Sequence, residues 1–273
     1  MTRRRLTTVT LEMLRGQLST RDLAVLADLA KVRVLSGDQL TRLHFADLSP
    51  SARDRTRRRV LSRLVGFGLV TTLERRIGGV RAGSGGLIYS LGAAGQRLTA
   101  VLVDPSARSA NARARHPWTP GRLFLNHTLA ISELYVQLRE AEQAGRFAIL
   151  EFRTEPAAWH VDGHGGVIKP DAYAVLQSAD VSDSWWLEVD RATESLPTLR
   201  RKLLAYTEFA RDGQLGPDDV VPRVLVTVPD DHRRAAVQGL IQTLPDPGGQ
   251  LISVKNHPQA TKHMSSVVNN IVD

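Results

Sequence analysis

The stretch IKPDAYAVLQSADVSDSWWLEVDR, residues 168–191, places Asp171 at the mouth of one apolar run and Glu188 and Asp190 at the end of the next. Side chains alternate across a strand, so Glu188 and Asp190 share one face, where two carboxylates repel unless a metal ion or a cation stands between them. Arg191 falls on the opposite face of a straight strand. The nearest lysines are Lys202, in the segment that follows, and Lys169, just before Pro170. Arg200 and Arg201 offer a second arrangement, in which they pair with Glu188 and Asp190 and stabilise a fold without doing chemistry.

These acids need elements to hold them. Residues 123–145 (LFLNHTLAISELYVQLREAEQAG) have a helical apolar period, while 147–153, 171–177 and 184–190 are short apolar runs bounded by turn residues and read as strands. A helix over 196–213, a strand over 223–228, a helix over 230–244 and a strand over 250–255 complete the order α-β-β-β-α-β-α-β, an α/β sheet layered by helices. WHVDGH, residues 159–164, brings His160, Asp162 and His164 close enough to suggest a metal, but the flanking glycines favour a solvated hairpin tip. Of the adjacent Trp185 and Trp186, one is expected in the core and its neighbour on the other face. Tyr173 and Tyr206 read as packing residues.

The first half differs in both pattern and charge. Residues 1–122 hold 22 Lys+Arg against 8 Asp+Glu, a net of +14, and residues 123–273 hold 14 against 20, a net of −6, which together give the +8 of the whole chain. A basic half suits a polyanion, and 21 of its 22 cations are arginine, whose planar fork suits phosphate and guanine. Ser19 and Thr20 are cap candidates for a first helix, Ser36 for a short second one, and Ser49 before Pro50 for a third. Along the third helix Val60, Leu61, Leu64 and Val65 make the buried stripe, and Arg53, Arg55, Arg57, Arg58, Arg59 and Arg63 occupy much of the rest.

Two strands follow over 69–76 and 87–91, joined by a glycine-rich tip that carries Arg81. Three helices and a β-hairpin predict a winged helix-turn-helix whose arginines Arg53, Arg55, Arg57, Arg58, Arg59, Arg63 and Arg81 contact DNA. The fold class expected is therefore α+β / α/β in two parts. A winged-helix domain with a basic N-terminal arm spans 1–103, a Pro-, Ala-, Ser- and Arg-rich linker spans 104–122, and an α/β domain spans 123–273. There is no cysteine, which excludes disulfides and thiolate metal sites. No apolar run reaches the length of a membrane span and the N-terminus lacks a signal-peptide pattern, so the expected location is cytoplasmic, away from the membrane.

The segments RDLAVLADLAKVRVLSGDQLTRLHF, RRRVLSRLVGFGLV, YSLGAAGQ, HTLAISELYVQL, KPDAYAVL, WWLEVDRATES and RRKLLAYTEFA, spread between Arg21 and Val228, resemble the replication-relaxation family of actinobacterial plasmids and integrative elements. That resemblance implies a DNA-associated protein of a mobile element. The order of helix, strand, strand with Pro-Asp, strand with Glu-X-charged and helix is similar to the PD-(D/E)XK nuclease superfamily. It implies Asp171 and Glu188 as ligands of Mg²⁺ or Mn²⁺ and Glu133 as the acid of the preceding helix. Asp190 stands where the superfamily has a lysine. Lys202 occupies a position to which that lysine has moved in some members.

The expected function is DNA binding in the regulation of replication or conjugative transfer, with a nuclease-like domain whose site is degenerate. One alternative is an Mg-dependent endonuclease or nickase targeted by the winged helix, with Asp171, Glu188, Asp190 and Lys202 as its catalytic set. Another is an adaptor docking a relaxase or replication initiator. The partners expected are double-stranded DNA, such a replication protein, and a second copy of the chain; a cofactor, Mg²⁺ or Mn²⁺, is expected only if the site is active.

Overall fold

The structure is a computed structural model that describes residues 13–76, 86–103 and 121–270. The chain divides into two compact units, Met1–Ser132 and Glu133–Asp273, and each combines helices with sheet.

The first unit begins with α1 (Thr20–Val32), whose capping box is closed by Ser19 and Asp22. Strand β1 (Val34–Ser36) follows, and Ser36 caps α2 (Gly37–His44) through a second box with Gln39. These boxes satisfy the N–H groups that a helix start leaves without partners. Pro50 starts α3 (Pro50–Gly66), which buries Arg57, Val60, Leu61 and Leu64. Strands β2 (Val70–Arg76) and β3 (Leu87–Leu91) complete an antiparallel sheet in the order β1-β3-β2, and α4 (Ala93–Val103) closes the run. β1 was hidden in the sequence because VRVLS extends the apolar period of α1 without a break.

Helix α5 (Arg122–Gln143) contains the division between the units, which lies beyond the 123 boundary expected from the linker. Its first turns belong to the first unit for a packing reason. Leu125 and Leu129 join Val34 and Ile88 in a core cluster, and Ser132 Oγ donates to Val34 O at 2.7 Å. The expected linker lies outside the described residues except for 121 and 122, as do the N-terminal arm over residues 1–12 and Arg81.

The second unit is built on a five-stranded mixed sheet in the order β10-β9-β8-β7-β4. Its strands are β4 (Ala148–Thr154), β7 (Ala172–Ser178), β8 (Val181–Val189), β9 (Arg223–Val228) and β10 (Ile252–Asn256), and a two-stranded hairpin, β5 (His160–Val161) and β6 (Val167–Ile168), stands apart. β8, β9 and β10 run parallel, while β4 and β7 pair antiparallel. Helices α6 (Leu196–Arg211) and α7 (Asp231–Ile241) contribute Leu199, Leu203, Tyr206, Phe209, Val237 and Ile241 to one face. They pack on Tyr173, Trp186, Val224 and Val226. A short helix, α8 (Gly248–Leu251), precedes β10, and α9 (Ala260–Asn270) covers the other face, where the His263 ring meets Trp185 edge-on at 5.9 Å. Both tryptophans are fully buried on opposite faces. The strand period of two thus carries Trp186, Glu188 and Asp190 to the α6/α7 side.

Candidate functional site

Asp171 prolongs the β7–β8 ladder by one residue, its N–H donating to Leu187 O at 3.0 Å. Its carboxylate turns back over the end of β8, and Oδ2 accepts the Val189 N–H at 2.7 Å. Glu188 lies on the same strand end, 2% exposed, and its two oxygens are held separately. The Tyr206 hydroxyl donates to Oε1 at 2.5 Å, and Lys202 Nζ stands 3.6 Å from Oε2 and 3.2 Å from Glu194 Oε1. Lys202 and Tyr206 are four residues apart on α6, the spacing that puts both on one helix face. The helix therefore turns Lys202 toward Glu188.

The electrostatics follow from burial. Loss of solvent, reinforced by the nearby Asp171 charge, lifts the Glu188 carboxyl to about 8, against the opposing pull of Lys202 and the Tyr206 hydrogen bond. Burial opposes charge on Lys202, but Glu188, Asp171 and Glu194 outweigh it and hold the ammonium charged well above the usual lysine range. Burial and the Glu188 charge together raise Tyr206, so it stays a donor.

Asp190 has a separate partner. Its Oδ2 accepts Arg233 Nε at 2.6 Å, its Oδ1 accepts the Ala192 N–H at 2.8 Å, and Arg233 Nη2 donates onward to Glu194 O at 2.8 Å. The two acids sharing a face are thus each answered by a cation, Lys202 for Glu188 and Arg233 for Asp190. Arg200 and Arg201, expected as their partners, remain exposed, because they project from the side of α6 opposite the Leu199–Leu203–Tyr206 stripe. Glu133 does not join the group; it accepts Gln137 Nε2 at 3.2 Å within α5. Among the described residues no three His, Asp or Glu side chains form a group that could hold a metal ion. Two carboxylates are nevertheless a sufficient protein contribution for Mg²⁺, which usually keeps several waters and takes further oxygens from a phosphate. Asp171 stands close enough to Glu188 for its charge to act on it, with Lys202 beside them. The residues that sequence reasoning missed are Arg233 and Glu194; the spacing from Lys202 to Tyr206 was a usable signal for the fourth member.

The WHVDGH segment forms the β5–β6 hairpin. Asp162 Oδ1 accepts the N–H groups of His164 and Gly166 at 3.0 and 2.6 Å, while the His160 ring packs on Phe209 at 5.8 Å. These residues build a turn.

In the first unit α3 sorts its arginines. Arg55, Arg58 and Arg59 are exposed on the face opposite Val60, Leu61 and Leu64. Arg53 is half-buried and donates to Ala46 O and Leu48 O at 3.1 and 3.2 Å. Arg63 is bound at 2.5 Å to Asp22, which is fully buried at the start of α1. Arg57 corrects the sequence reading. It is 3% exposed, donating to Thr41 Oγ1 at 2.6 Å and to Gly37 O at 3.2 Å, with Asp54 and Asp38 at 3.2 and 3.6 Å. It ties α3 to α2, because its position falls among the apolar residues of the helix.

The sequence model of the replication-relaxation family matches residues 26–224, well over half of the chain and across both units. The chain belongs to the replication-relaxation family. No curated protein matches it, and no solved structure does. The family match reaches over α3 and the Asp171–Glu188–Lys202 group alike, so both lie within the part that this replication-relaxation protein shares with its family. Among the described residues no helix is long and apolar enough to cross a membrane.

Proposed function

We propose that this replication-relaxation protein binds duplex DNA through its first unit and acts in the replication or transfer of a plasmid or integrative element. The observation that carries the reading is the arrangement around α3. The order helix, strand, helix, helix, strand, strand with a sheet ordered β1-β3-β2 supports reading this unit as a winged helix, a fold whose third helix enters the major groove. Its exposed face offers Arg55, Arg58 and Arg59, spaced to meet phosphates and base edges along one side. Arg57 supports this face from behind by fixing α3 to α2, and Arg63, itself exposed, ties α3 to Asp22 of α1. The test is binding of labelled duplex DNA by the full chain. Arg55→Ala with Arg59→Ala should weaken it severalfold while thermal unfolding is unchanged, and equal affinity of variant and wild type at physiological salt would remove α3 as the contact.

A second reading, metal-dependent cleavage or nicking of that DNA, is favoured by one observation, Lys202 turned inward to 3.6 Å from Glu188. Mg²⁺ or Mn²⁺ bound there would polarise a phosphate oxygen and lower the pKa of bound water. Asp171 and Glu188 would hold the ion, Lys202 would keep a positive charge against the phosphate, and Tyr206 would hold Glu188 in place by its hydroxyl. Asp190, paired with Arg233, supports the strand end. Nicking of plasmid carrying the bound sites, dependent on added metal and lost in both Asp171→Ala and Lys202→Ala, establishes this reading; no nicking of such plasmid leaves the group as a structural network.

A further inference from the structure

On the α6/α7 face of the second unit, β4, β7 and the start of β8 frame a cavity of about 580 Å³. No α-helix contributes to its lining, which comes from those strands and the segment around Asp218–Val221. The floor is Val175, and the walls carry Leu150, Val220 and Val221, which are 56%, 43% and 36% exposed. Three valines and leucines open to water beside one another are an unusual feature of a surface, since each leaves apolar area unburied.

The backbone holds them there. Leu150 falls at the register shift between Ile149 and Glu151, where β4 has an extra residue without a partner on β7, and β4 is the last strand of the sheet. Asp218 and Asp219 both have positive φ, 59° and 58°, a conformation that Asp and Asn tolerate better than other residues with a side chain. This turn delivers Val220 and Val221 to the rim. It is clamped at its ends by the Gly216 N–H, which donates to Val220 O at 2.7 Å, and by Pro222, close enough to Gly216 to meet any added Cβ.

The charge around the groove has one sign left over. Glu151 is paired with Arg153 at 2.8 Å and Asp183 with both oxygens on Arg223 at 3.1 Å. Asp218 accepts only the Tyr173 hydroxyl, at 3.3 Å, and makes no ion pair among the described residues; neither do Asp219 beside it and Asp180 in the β7–β8 turn. An apolar floor with an uncompensated acidic rim repels nucleic acid and suits a cationic chain that also carries apolar side chains. β4 has no strand on its outer side in this sheet, and although Glu142 Oε1 already accepts the Ile149 N–H at 2.7 Å, its remaining outward main-chain groups suit such a chain in extended form.

We propose that this groove docks an extended basic segment of a partner protein, with leucine- or valine-sized side chains seated on Val175 and its arginines or lysines against Asp218, Asp219 and Asp180. The site lies on strands β4 and β7 at the Asp183 end of the sheet, away from the Glu188 group at the far end of β8.

The experiment uses the full chain and a fluorescent peptide of about fifteen residues in which arginine alternates with leucine and valine, the pattern of a strand with one apolar face. Binding is read by anisotropy, with a peptide of arginine and glycine as control. The expected result is saturable binding that weakens with salt and is lost in the control peptide. Leu150→Ser with Val221→Ser, and separately Asp218→Asn with Asp219→Asn, should each weaken it about tenfold, as central contacts do. Asparagine tolerates positive φ, so the second pair keeps the turn. Ser266→Ala, exposed on α9 over the other face of the sheet, should bind as wild type. Wild type that fails to bind the peptide at about 1 mM, equal binding of the arginine–glycine peptide, or unchanged binding by both double variants would overturn the proposal. Light scattering covers the remaining occupant: self-association abolished by Leu150→Ser with Val221→Ser would make a second copy the partner and remove the foreign segment.

Discussion

Replacing Glu188 by glutamine tests whether the carboxyl is held neutral by its burial. With a folded-state value of about 8 against an ordinary 4.5, the folded chain keeps a proton that the unfolded chain has released across that interval. Stability therefore falls as pH rises from about 4.5 to about 8, being fullest below the unfolded value and lost through the folded one. At about 1.4 kcal/mol per unit, the shift of roughly 3.5 units sets a ceiling of about 5 kcal/mol on the loss. Full burial of the side chain means solvent screening does not reduce it, although Lys202 shares the equilibrium and its charge takes part of the effect. Glutamine cannot titrate, so Glu188→Gln removes this slope while retaining an acceptor for Tyr206. The assay is urea unfolding followed by tryptophan emission, which reads the second unit through the buried Trp185 and Trp186, at several pH values between 5 and 8 with chelator present. Other titrating groups cancel in the difference between the two proteins. Wild type should lose more than about 2 kcal/mol relative to the variant over that range, roughly 1 M in urea midpoint for a slope of about 2 kcal/mol/M. Parallel pH profiles for the two proteins would refute the assignment of Glu188 as the proton-holding group.

Arg57→Ala should destabilise the first unit by about 2 kcal/mol, since it strips charge-assisted bonds from Thr41 and Gly37, and thermal unfolding followed by circular dichroism will show it; a loss of DNA affinity with unchanged stability would contradict its burial. Removing Arg55 and Arg59 together should reduce the slope of log K against log salt by up to about 1.8, measured by titrating duplex DNA at several salt concentrations. Asp190→Asn should cost about 2 kcal/mol by leaving the largely covered Arg233 without its counter-charge, read by urea unfolding, and Arg233→Met with Asp190→Leu should recover part of the loss.

The elements of this protein were largely legible in its sequence. Local signals announced α1, α2 and α3 one by one: Ser19 and Ser36 supply side-chain acceptors to the first turn, and Pro50 takes the first helical position, where its missing N–H costs nothing, while Ser49 makes no side-chain cap. The apolar runs YAVLQ and WWLEV, bounded by turn residues, likewise carried β7 and β8, and the strand period of two placed Glu188 and Asp190 on one face. Strand β1 and the extension of the first unit into α5 were not legible, since Val34, Leu125 and Leu129 are apolar in any of several arrangements and only their meeting around Ile88 distinguishes one.

The candidate site shows the same division. That acids stand at Asp171, Glu188 and Asp190 follows from the sequence, and so does their grouping at one end of adjacent strands. Which cation answers each of them is a property of how α6 and α7 are rotated over the sheet, and that rotation is set by Leu199, Leu203, Tyr206 and Val237 seating in the core. Helix rotation by one residue, about 100°, would exchange Lys202 for Arg201 at Glu188. Arg57 makes the point most simply: six arginines on α3 look alike in a string of letters, and burial of the one among Val60, Leu61 and Leu64 separates it from those that face water. Local patterning determines which elements form and which face each residue takes, whereas long-range packing decides which faces meet. Contacts between residues such as Asp190 and Arg233, 43 positions apart, leave no periodic trace in the chain.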